Sequence, residues 1–211
     1  MSELQAILLG IIEGFTEFLP ISSTAHLVLG AHILRLSQSD FVKSFEIAIQ
    51  AGAILSVAIL YWERFLNIEL LKKLCIAFIP TGSIGFFLYP FIKGHLIGNL
   101  SVTLWALLIG GVILIVFDRF YHESANGSSV SYAQAFAVGL FQSLAVIPGI
   151  SRAGATIIGG LTIGIPRRAI VEFSFLLAVP TMAAATGYDL WKNASLFSTA
   201  ELDLLIIGFV F

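Results

Sequence analysis

This sequence has few charged side chains for its length. They make up 11% of the 211 residues, whereas hydrophobic residues make up 58% and the mean hydropathy is +0.97. An ordinary soluble domain carries roughly 25% charged residues. The composition therefore excludes a soluble globular domain and predicts an integral membrane protein.

Basic runs, paired cysteines and a signal sequence are also missing. The net charge is -2 and the Lys and Arg residues form no cluster that could follow a phosphate backbone, so no nucleic-acid partner is expected. Cys75 is the single cysteine, which excludes an internal disulfide and predicts a small buried hydrophobic residue. The first apolar run contains Glu3, Glu13 and Glu17 and no basic start, so it is not predicted to be a cleaved signal peptide.

Several apolar runs are long enough to cross a bilayer. An α-helix rises about 1.5 Å per residue, so about 20 residues cross a core of roughly 30 Å. The runs of that length cover residues 41–62, 74–91, 100–120 and 169–190, and residues 201–211 begin a further one. The sequence therefore predicts an all-α polytopic membrane protein with four to five spanning helices, of which the second is expected to bend near Pro80.

Two shorter apolar runs meet at a proline near the amino terminus. Residues 4–19 stop at Pro20, and residues 25–36 follow after Ser22, Ser23 and Thr24, whose hydroxyls can cap the next helix. Neither run crosses a bilayer comfortably. They predict a re-entrant hairpin, and irregular backbone at that depth is tolerated only where protein covers it or a wet cavity borders it.

The same pattern recurs about 130 residues later. Gly10, Glu13 and Ser22 correspond in spacing to Gly139, Gln142 and Ser151. Three crossings separate the two hairpins, so the second enters from the opposite face, as in inverted-topology repeats with sites near the midplane. The first repeat is predicted to cover residues 1–125, with a hairpin at 2–36 and three spans. After a polar connector between residues 121 and 131, the second covers 131–211, with a hairpin at 131–165, one span and the start of another.

Two expectations follow from this topology. Completing the second repeat would take on the order of fifty more residues, so the chain is expected to be truncated. The larger group of basic residues is placed on the cytoplasmic side by the positive-inside rule, which puts the amino terminus outside. That group is Arg64, Lys72, Lys73, Arg119, Arg167 and Arg168, against Arg35, Lys43, Lys93 and Lys192 on the other side.

Glu13 and Glu17 stand four residues apart and share one helix face. Two carboxylates so close in a low dielectric need a cation, a shared proton or a basic partner. A divalent cation such as Mg²⁺ or Ca²⁺ suits oxygen ligands, and Mg²⁺ is typically bound by one or two carboxylates together with substrate phosphates. The alternative is an acid pair that packs against Arg152 for stability alone.

The two breaks carry the other polar candidates. At the first, Ser22, Ser23 and Thr24 begin a helix whose amino end attracts anions, and His26 lies within one turn of both serine hydroxyls. His26 could serve as base, acid or nucleophile. At the second, Ser151 and Thr156 flank Arg152, whose guanidinium can bind a phosphate with two parallel hydrogen bonds.

Phosphoryl transfer fits this combination of groups, because its catalysis consists mainly of positioning and charge stabilisation. Ser23 is the preferred nucleophile, with His26 or an acid of the Glu13–Glu17 pair as base, while direct attack by water and a nucleophilic His26 stay open. A transporter or lipid flippase is the alternative, since inverted repeats with broken helices are also a transporter architecture. Whether the protein forms a homodimer is left open.

Four motifs connect the chain to a known family. The stretches EGFTEFLPISSTAH, FEIAIQAGAIL, IPGISRAGATI and EFSFLLAVP closely resemble those of the undecaprenyl-diphosphate phosphatases of the bacitracin-resistance type. The resemblance implies a bacterial inner-membrane enzyme, with its site open to the periplasm, that hydrolyses a C55 isoprenyl diphosphate to the monophosphate carrier used in cell-wall synthesis.

The resemblance also implies roles for particular residues. Glu13 and Glu17 match the family's essential acid pair and its divalent-cation dependence, and Ser22, Ser23, Thr24 and His26 match its hydroxyl and histidine cluster. The phosphate-binding motif of the family corresponds to Ser151, Arg152 and Thr156. The chain departs from the usual PGxSRSG pattern by placing Ala153 at the second serine.

Overall fold

The computed structural model describes residues 1–122, 129–193 and 199–211, and over this part every regular element is helical. The predicted all-α class is therefore confirmed. The connector expected between residues 121 and 131 falls largely on residues 123–128, outside the described residues. The α-helices are α1 Glu3–Thr16, α2 Ser23–Ile33, α3 Asp40–Leu60, α4 Ile68–Phe91, α5 Leu100–Phe120, α6 Tyr132–Gln142, α7 Arg152–Thr162, α8 Arg167–Lys192 and α9 Thr199–Val210.

Four of these helices are long and apolar enough to cross a membrane. They are α3, α4 with the π-helical turn that extends it to Leu96, α5 and α8. This confirms a polytopic membrane protein and agrees with the predicted spans to within a few residues at most ends. The start of α4 lies six residues earlier than predicted because Asn67 caps it by accepting a hydrogen bond from the Leu70 amide, at 3.1 Å. The helix continues through Pro80 and Pro90 as one element.

Both short helix pairs return the chain to the side from which it came. In the first pair, Gln5 near the start of α1 donates a hydrogen bond to the carbonyl of Leu34 at the end of α2, at 3.1 Å. In the second, Gln134 near the start of α6 donates to the carbonyl of Ile163, just after α7, at 3.3 Å. The outer ends of each pair are thus joined, which is the geometry of a re-entrant hairpin.

The two hairpins also begin and end alike. Each starts with a capping box, formed by Ser2 with Gln5 and by Ser131 with Gln134. Each ends with a residue of positive φ, Arg35 at 57° or a glycine, Gly164, at 80°. These matched details support the internal repeat, although the division into two repeat domains stays a prediction.

Each hairpin packs against a helix from the other predicted repeat. Helix α9 lies against α1, so closely that a Cβ on Gly10 would meet the carbonyl oxygen of Gly208. Helix α4 lies against α6 in the same way, and a Cβ on Gly139 would overlap the carbonyl of Ala77. Helices α3 and α8 pack together between these pairs. The breaks of the two hairpins are thereby held at the centre of the molecule.

Cys75 is exposed, which corrects the expectation that it is buried. Its neighbours Leu74 and Ala77 on α4 are buried in the core, whereas the side chain of Cys75 points away from it. An apolar sequence does not reveal which side of a spanning helix faces lipid, because both sides are hydrophobic.

Candidate active site

The first break brings acid and hydroxyl groups together through a strained turn. Helix α1 ends at Thr16, and Glu17 continues the helical conformation by one residue. Ser22 then adopts φ 66° and ψ 91°, and its Oγ accepts a hydrogen bond from the Ala25 amide to cap α2. A non-glycine residue at positive φ costs about 1–3 kcal/mol, and such residues cluster at functional sites.

Glu17 is the central residue of the site. Its Oε2 accepts a hydrogen bond of 2.5 Å from the Ser23 hydroxyl, and its Oε1 accepts one of 2.8 Å from Nη2 of Arg152. Each of the three side chains is at most 10% exposed. The contact joins the two breaks, because Glu17 and Ser23 belong to the first hairpin and Arg152 begins the second helix of the other.

Arg152 is fixed from behind by helix α8. Its Nη1 donates to the backbone carbonyl of Ser174 at 3.1 Å, while its buried Nε has no hydrogen-bond partner. Thr156 lies fully buried one turn further along α7, where its hydroxyl contacts that of Ser174 at 2.6 Å. Thr156 therefore contacts Ser174, the residue whose carbonyl binds Arg152, and a direct phosphate contact of Thr156 stays a prediction.

Glu13 lies behind Glu17 on the same face of α1. It is 1% exposed, and both of its carboxylate oxygens lack a hydrogen-bond partner. Its charge interacts with those of Glu17 and Arg152. A buried carboxylate without partners is costly unless a proton or a cation neutralises it.

His26 is oriented differently from the sequence-based expectation. Its Nδ1 donates a hydrogen bond of 2.9 Å to the backbone carbonyl of Ser22, instead of contacting a serine hydroxyl. Because a carbonyl only accepts, this bond leaves Nε2 as the nitrogen that can take up or release a proton. The half-buried ring thus makes its hydrogen bond within the turn at the start of α2 and not with the Glu17–Ser23–Arg152 cluster.

A cavity of about 750 Å³ opens onto this cluster. The amino ends of α2 and α7 both line it, through Ser22, Ser23 and Thr24 on one side and Ser151, Arg152 and Ala153 on the other. It extends along α4 and α8 to Tyr89 and Tyr188, near the carboxyl ends of those helices. Two helix amino ends that face one cavity, with an arginine at one of them, favour an anionic ligand with more than one phosphate.

Two glutamines of the cavity wall were not singled out from the sequence as site residues. Gln142 donates hydrogen bonds of 3.1 Å to the hydroxyls of both Thr81 and Thr181, and its own oxygen has no partner. Gln50 approaches the Thr24 hydroxyl at 3.5 Å. The sequence offers one indication that Gln142 belongs to the site. In the second hairpin it occupies the position that corresponds to Glu13 in the first, and Glu13 is a candidate site residue.

Comparison with known proteins identifies the family of the chain. The family model described as bacitracin resistance protein BacA matches residues 6–211. The chain belongs to this family. Three relatives carry the name undecaprenyl-diphosphatase, and the match covers at least 99% of this chain and 81–84% of each of them. Their identities are 54% in Aquifex aeolicus, 51% in Persephonella marina and 49% in Bdellovibrio bacteriovorus.

Membership of the BacA family confirms the resemblance that the four motifs indicated. The motifs contribute directly to the cluster, since Glu17, Ser23 and Arg152 all lie within them. Ala153, which replaces the usual second serine of the motif, is 2% exposed and lines the cavity beside Arg152. Alanine at this position lacks the hydroxyl donor that a serine would offer, and the Arg152 contacts are intact.

Proposed function

We propose that this chain hydrolyses undecaprenyl diphosphate to undecaprenyl phosphate and inorganic phosphate at the Glu17–Ser23–Arg152 cluster. The observation that carries the proposal is the 2.5 Å hydrogen bond from Ser23 to Glu17, next to an arginine that still has an unpartnered N–H. A hydroxyl bonded to a carboxylate is the arrangement of an activated nucleophile. The family and the names of the relatives indicate the substrate.

In the proposed reaction, the Ser23 oxygen attacks the terminal phosphorus and its proton passes to Glu17. Undecaprenyl phosphate leaves, and Glu17 releases its proton to solvent. Glu17 then takes a proton from the water that attacks the phosphoserine and passes it to the departing Ser23 oxygen, which frees inorganic phosphate. Arg152 and the amino ends of α2 and α7 stabilise the charge on the phosphoryl oxygens. Ser22, Thr24 and Ser151 are positioned to bind phosphate oxygens, and Nε2 of His26 can protonate the leaving group.

A divalent cation, Mg²⁺ or Ca²⁺, is proposed as the cofactor. Glu13 supports this, because its carboxylate is buried and both of its oxygens are free to bind a metal ion beside Glu17. Within the described residues no three His, Cys, Asp or Glu side chains come together, so phosphate oxygens and water would complete the shell. Glu13 and Glu17 would bind the cation, and the cation would neutralise charge on the diphosphate.

The cation proposal is tested by titrating Mg²⁺ into protein treated with a chelator. Glu13→Gln should raise the Mg²⁺ concentration for half-maximal phosphate release by on the order of 10-fold or more, because one anionic ligand is lost. An unchanged Mg²⁺ dependence in this variant would contradict the assignment of Glu13.

The enzyme is proposed to act in the bacterial inner membrane, with the site open to the periplasm. The cavity extends from the cluster towards the carboxyl ends of α4 and α8, on the side of the membrane where the chain begins. The positive-inside rule puts that side outside the cytoplasm. The lipid diphosphate is the proposed partner.

Phosphate release from undecaprenyl diphosphate in detergent micelles tests the reaction. We expect Ser23→Ala, Glu17→Gln and Arg152→Ala each to lower kcat by about 10²–10⁴-fold, in line with the loss of acid–base or charge-stabilising groups. Ser56→Ala, on the exposed surface of α3, is the control and should keep the rate of the unaltered chain.

A covalent intermediate distinguishes Ser23 from the other two candidate nucleophiles, water and His26. Acid quenching of the reaction with substrate labelled in the terminal phosphate should yield labelled protein, which Ser23→Ala abolishes. Substantial phosphate release by Ser23→Ala would refute Ser23 as the nucleophile and leave direct attack by water and a nucleophilic His26. Full activity of both Glu17→Gln and Arg152→Ala would place the reaction elsewhere.

A further inference from the structure

The wall of the cavity has an opening between α4 and α8. On α4 the lining residues Phe78, Gly82, Gly85 and Tyr89 follow each other at helical spacing and form one face. Opposite them, α8 contributes small side chains, Ala184 and Ala185, between Thr181 and Tyr188. Aromatic residues border this stretch, and small residues lie within it at Gly82 and Gly85 on α4 and at Ala184 and Ala185 on α8.

This stretch is also where the cavity meets the outside of the helix bundle. Ala184 and Ala185 are exposed, as are Ser83, Phe86 and Phe87 on α4. All five line the cavity. The side of the cavity is therefore open between the two spanning helices, at a level that lies within the hydrocarbon of the bilayer.

Gly85 is the residue that leaves this opening free. A Cβ at Gly85 would have no heavy atom within 4 Å, so close packing does not require a glycine there. Its φ is not positive either, since Gly98, Gly149 and Gly164 are the glycines with that conformation among the described residues. Gly82 differs, because a Cβ there would meet the ring of Phe78 at 2.8 Å.

The size of the cavity limits how much of a lipid it can hold. Pockets of about 300–1,000 Å³ accommodate a drug-sized molecule, and this one measures about 750 Å³, including the space beside Arg152. A diphosphate with its first isoprene units fits that volume, whereas a complete C55 chain does not. The remainder of the chain must leave through an apolar opening.

We propose that the isoprenoid chain of the substrate leaves the active site sideways between α4 and α8, through the opening at Gly85 and Ala185, and that Gly85 determines acceptance of long chains. The inference rests on the proposed function and extends it to the path of the lipid. The occupant is an isoprenoid because the opening is continuous with the diphosphate-binding cluster, has an apolar border and faces the bilayer. A diphosphate with a short chain lies wholly inside the cavity and does not need the opening.

Gly85→Leu tests the proposal, because its Cβ meets no neighbour within 4 Å and its side chain would narrow the opening. Phosphate release is measured with undecaprenyl diphosphate (C55) and with geranyl diphosphate (C10). We expect kcat/KM for the C55 substrate to fall by about 10-fold or more, the effect of misfitting apolar groups in a pocket, and kcat/KM for the C10 substrate to change far less. Gly85→Ala should give a smaller loss in the same direction.

Gly110→Leu is the matched control. Gly110 lies within the spanning helix α5, and a Cβ there also meets open space, while the residues that line the cavity come from other elements. It should alter neither kcat/KM value. Thermal unfolding in detergent should show that both leucine variants remain folded.

The possible outcomes separate the inference from the proposed function. Equal rates of Gly85→Leu and the unaltered chain on both substrates would overturn the proposed path, as would an equal loss on both. The hydrolytic function would stand in either case. No phosphate release by the unaltered chain from either substrate would overturn the proposed function and, with it, the inference.

Discussion

The adjacent residues Ser22 and Ser23 have different tasks although the sequence presents them as one hydroxyl cluster. Ser22 caps α2 through its side chain and turns the backbone at positive φ, whereas Ser23 donates its hydroxyl to Glu17. The turn at Ser22 is what directs Ser23 towards Glu17. Substitutions at the two positions should therefore affect different properties.

At Ser22 we expect an effect on stability that depends on the replacement. Ser22→Ala removes the cap and should lower the free energy of unfolding by about 0.5–2 kcal/mol. Ser22→Gly should lower it less, because glycine is tolerated as a cap and adopts positive φ without strain. Thermal unfolding in detergent compares them, and a glycine variant less stable than the alanine variant would argue against the strained turn.

Among the elements, α4 and α8 are joined by a buried ion pair. Nζ of Lys93 lies 2.7 Å from Oδ1 of Asp189 and also 2.7 Å from the Ser44 hydroxyl on α3. The Tyr89 hydroxyl donates to the same Asp189 oxygen at 2.6 Å. The pair thus ties three spanning helices together at the end of the molecule towards which the cavity extends.

Removing one member of this pair should be much worse than removing both. Lys93→Met leaves the Asp189 carboxylate buried without its cation, and such a loss costs about 3–5 kcal/mol. The double variant Lys93→Met with Asp189→Leu should recover much of that stability, because no charge is left unpaired. A double-mutant cycle from unfolding in detergent measures the coupling, and purely additive effects would mean that the pair contributes little.

The glycine contacts between helices give a second test at this scale. Gly139→Ala places a methyl group against the carbonyl of Ala77 and must push α6 away from α4, so we expect a loss of about 1–3 kcal/mol, as for other overpacked cores. Gly110→Ala is the control, because its Cβ meets open space and alanine favours a helix over glycine. Equal stability of the two variants would contradict the close approach.

For the molecule as a whole, the orientation in the membrane that we propose from the charge distribution can be measured directly. A cysteine introduced at Ser2 should react with a membrane-impermeant maleimide added outside intact cells, whereas one at Lys72 should react only after permeabilisation. Cys75 is replaced by Ala in both variants, because it is exposed. Labelling of the Lys72 position alone from outside would reverse the orientation.

Much of this architecture was predictable from local sequence. The spans, the two breaks and the caps at Ser22 and Ser151 follow from hydrophobic run length, proline position and hydroxyl chemistry, which act over a few residues. The Glu17–Arg152 contact was predictable because a buried charge is costly unless an opposite charge neutralises it. The orientation of His26 was not, because it depends on the exact path of the turn.

Partners far apart in the chain were the hardest to predict. Lys93 and Asp189 are each a single charge near a helix end, a pattern that is also typical of interfacial residues. The packing of α9 on α1 rests on glycines, which leave no hydrophobic pattern to follow. In both cases the sequence contains the residues, but no repeating pattern in it indicates which of them are in contact.

Each hairpin packs against a helix from the other predicted repeat, and this affects the order in which the chain can fold during synthesis. The first hairpin leaves the ribosome early, but the backbone around Gly208, on which Gly10 packs, is made roughly 200 residues later. At about 5–20 residues per second, the hairpin waits roughly 10–40 s for its neighbour. The first hairpin therefore completes its packing only after that interval, although it is translated first.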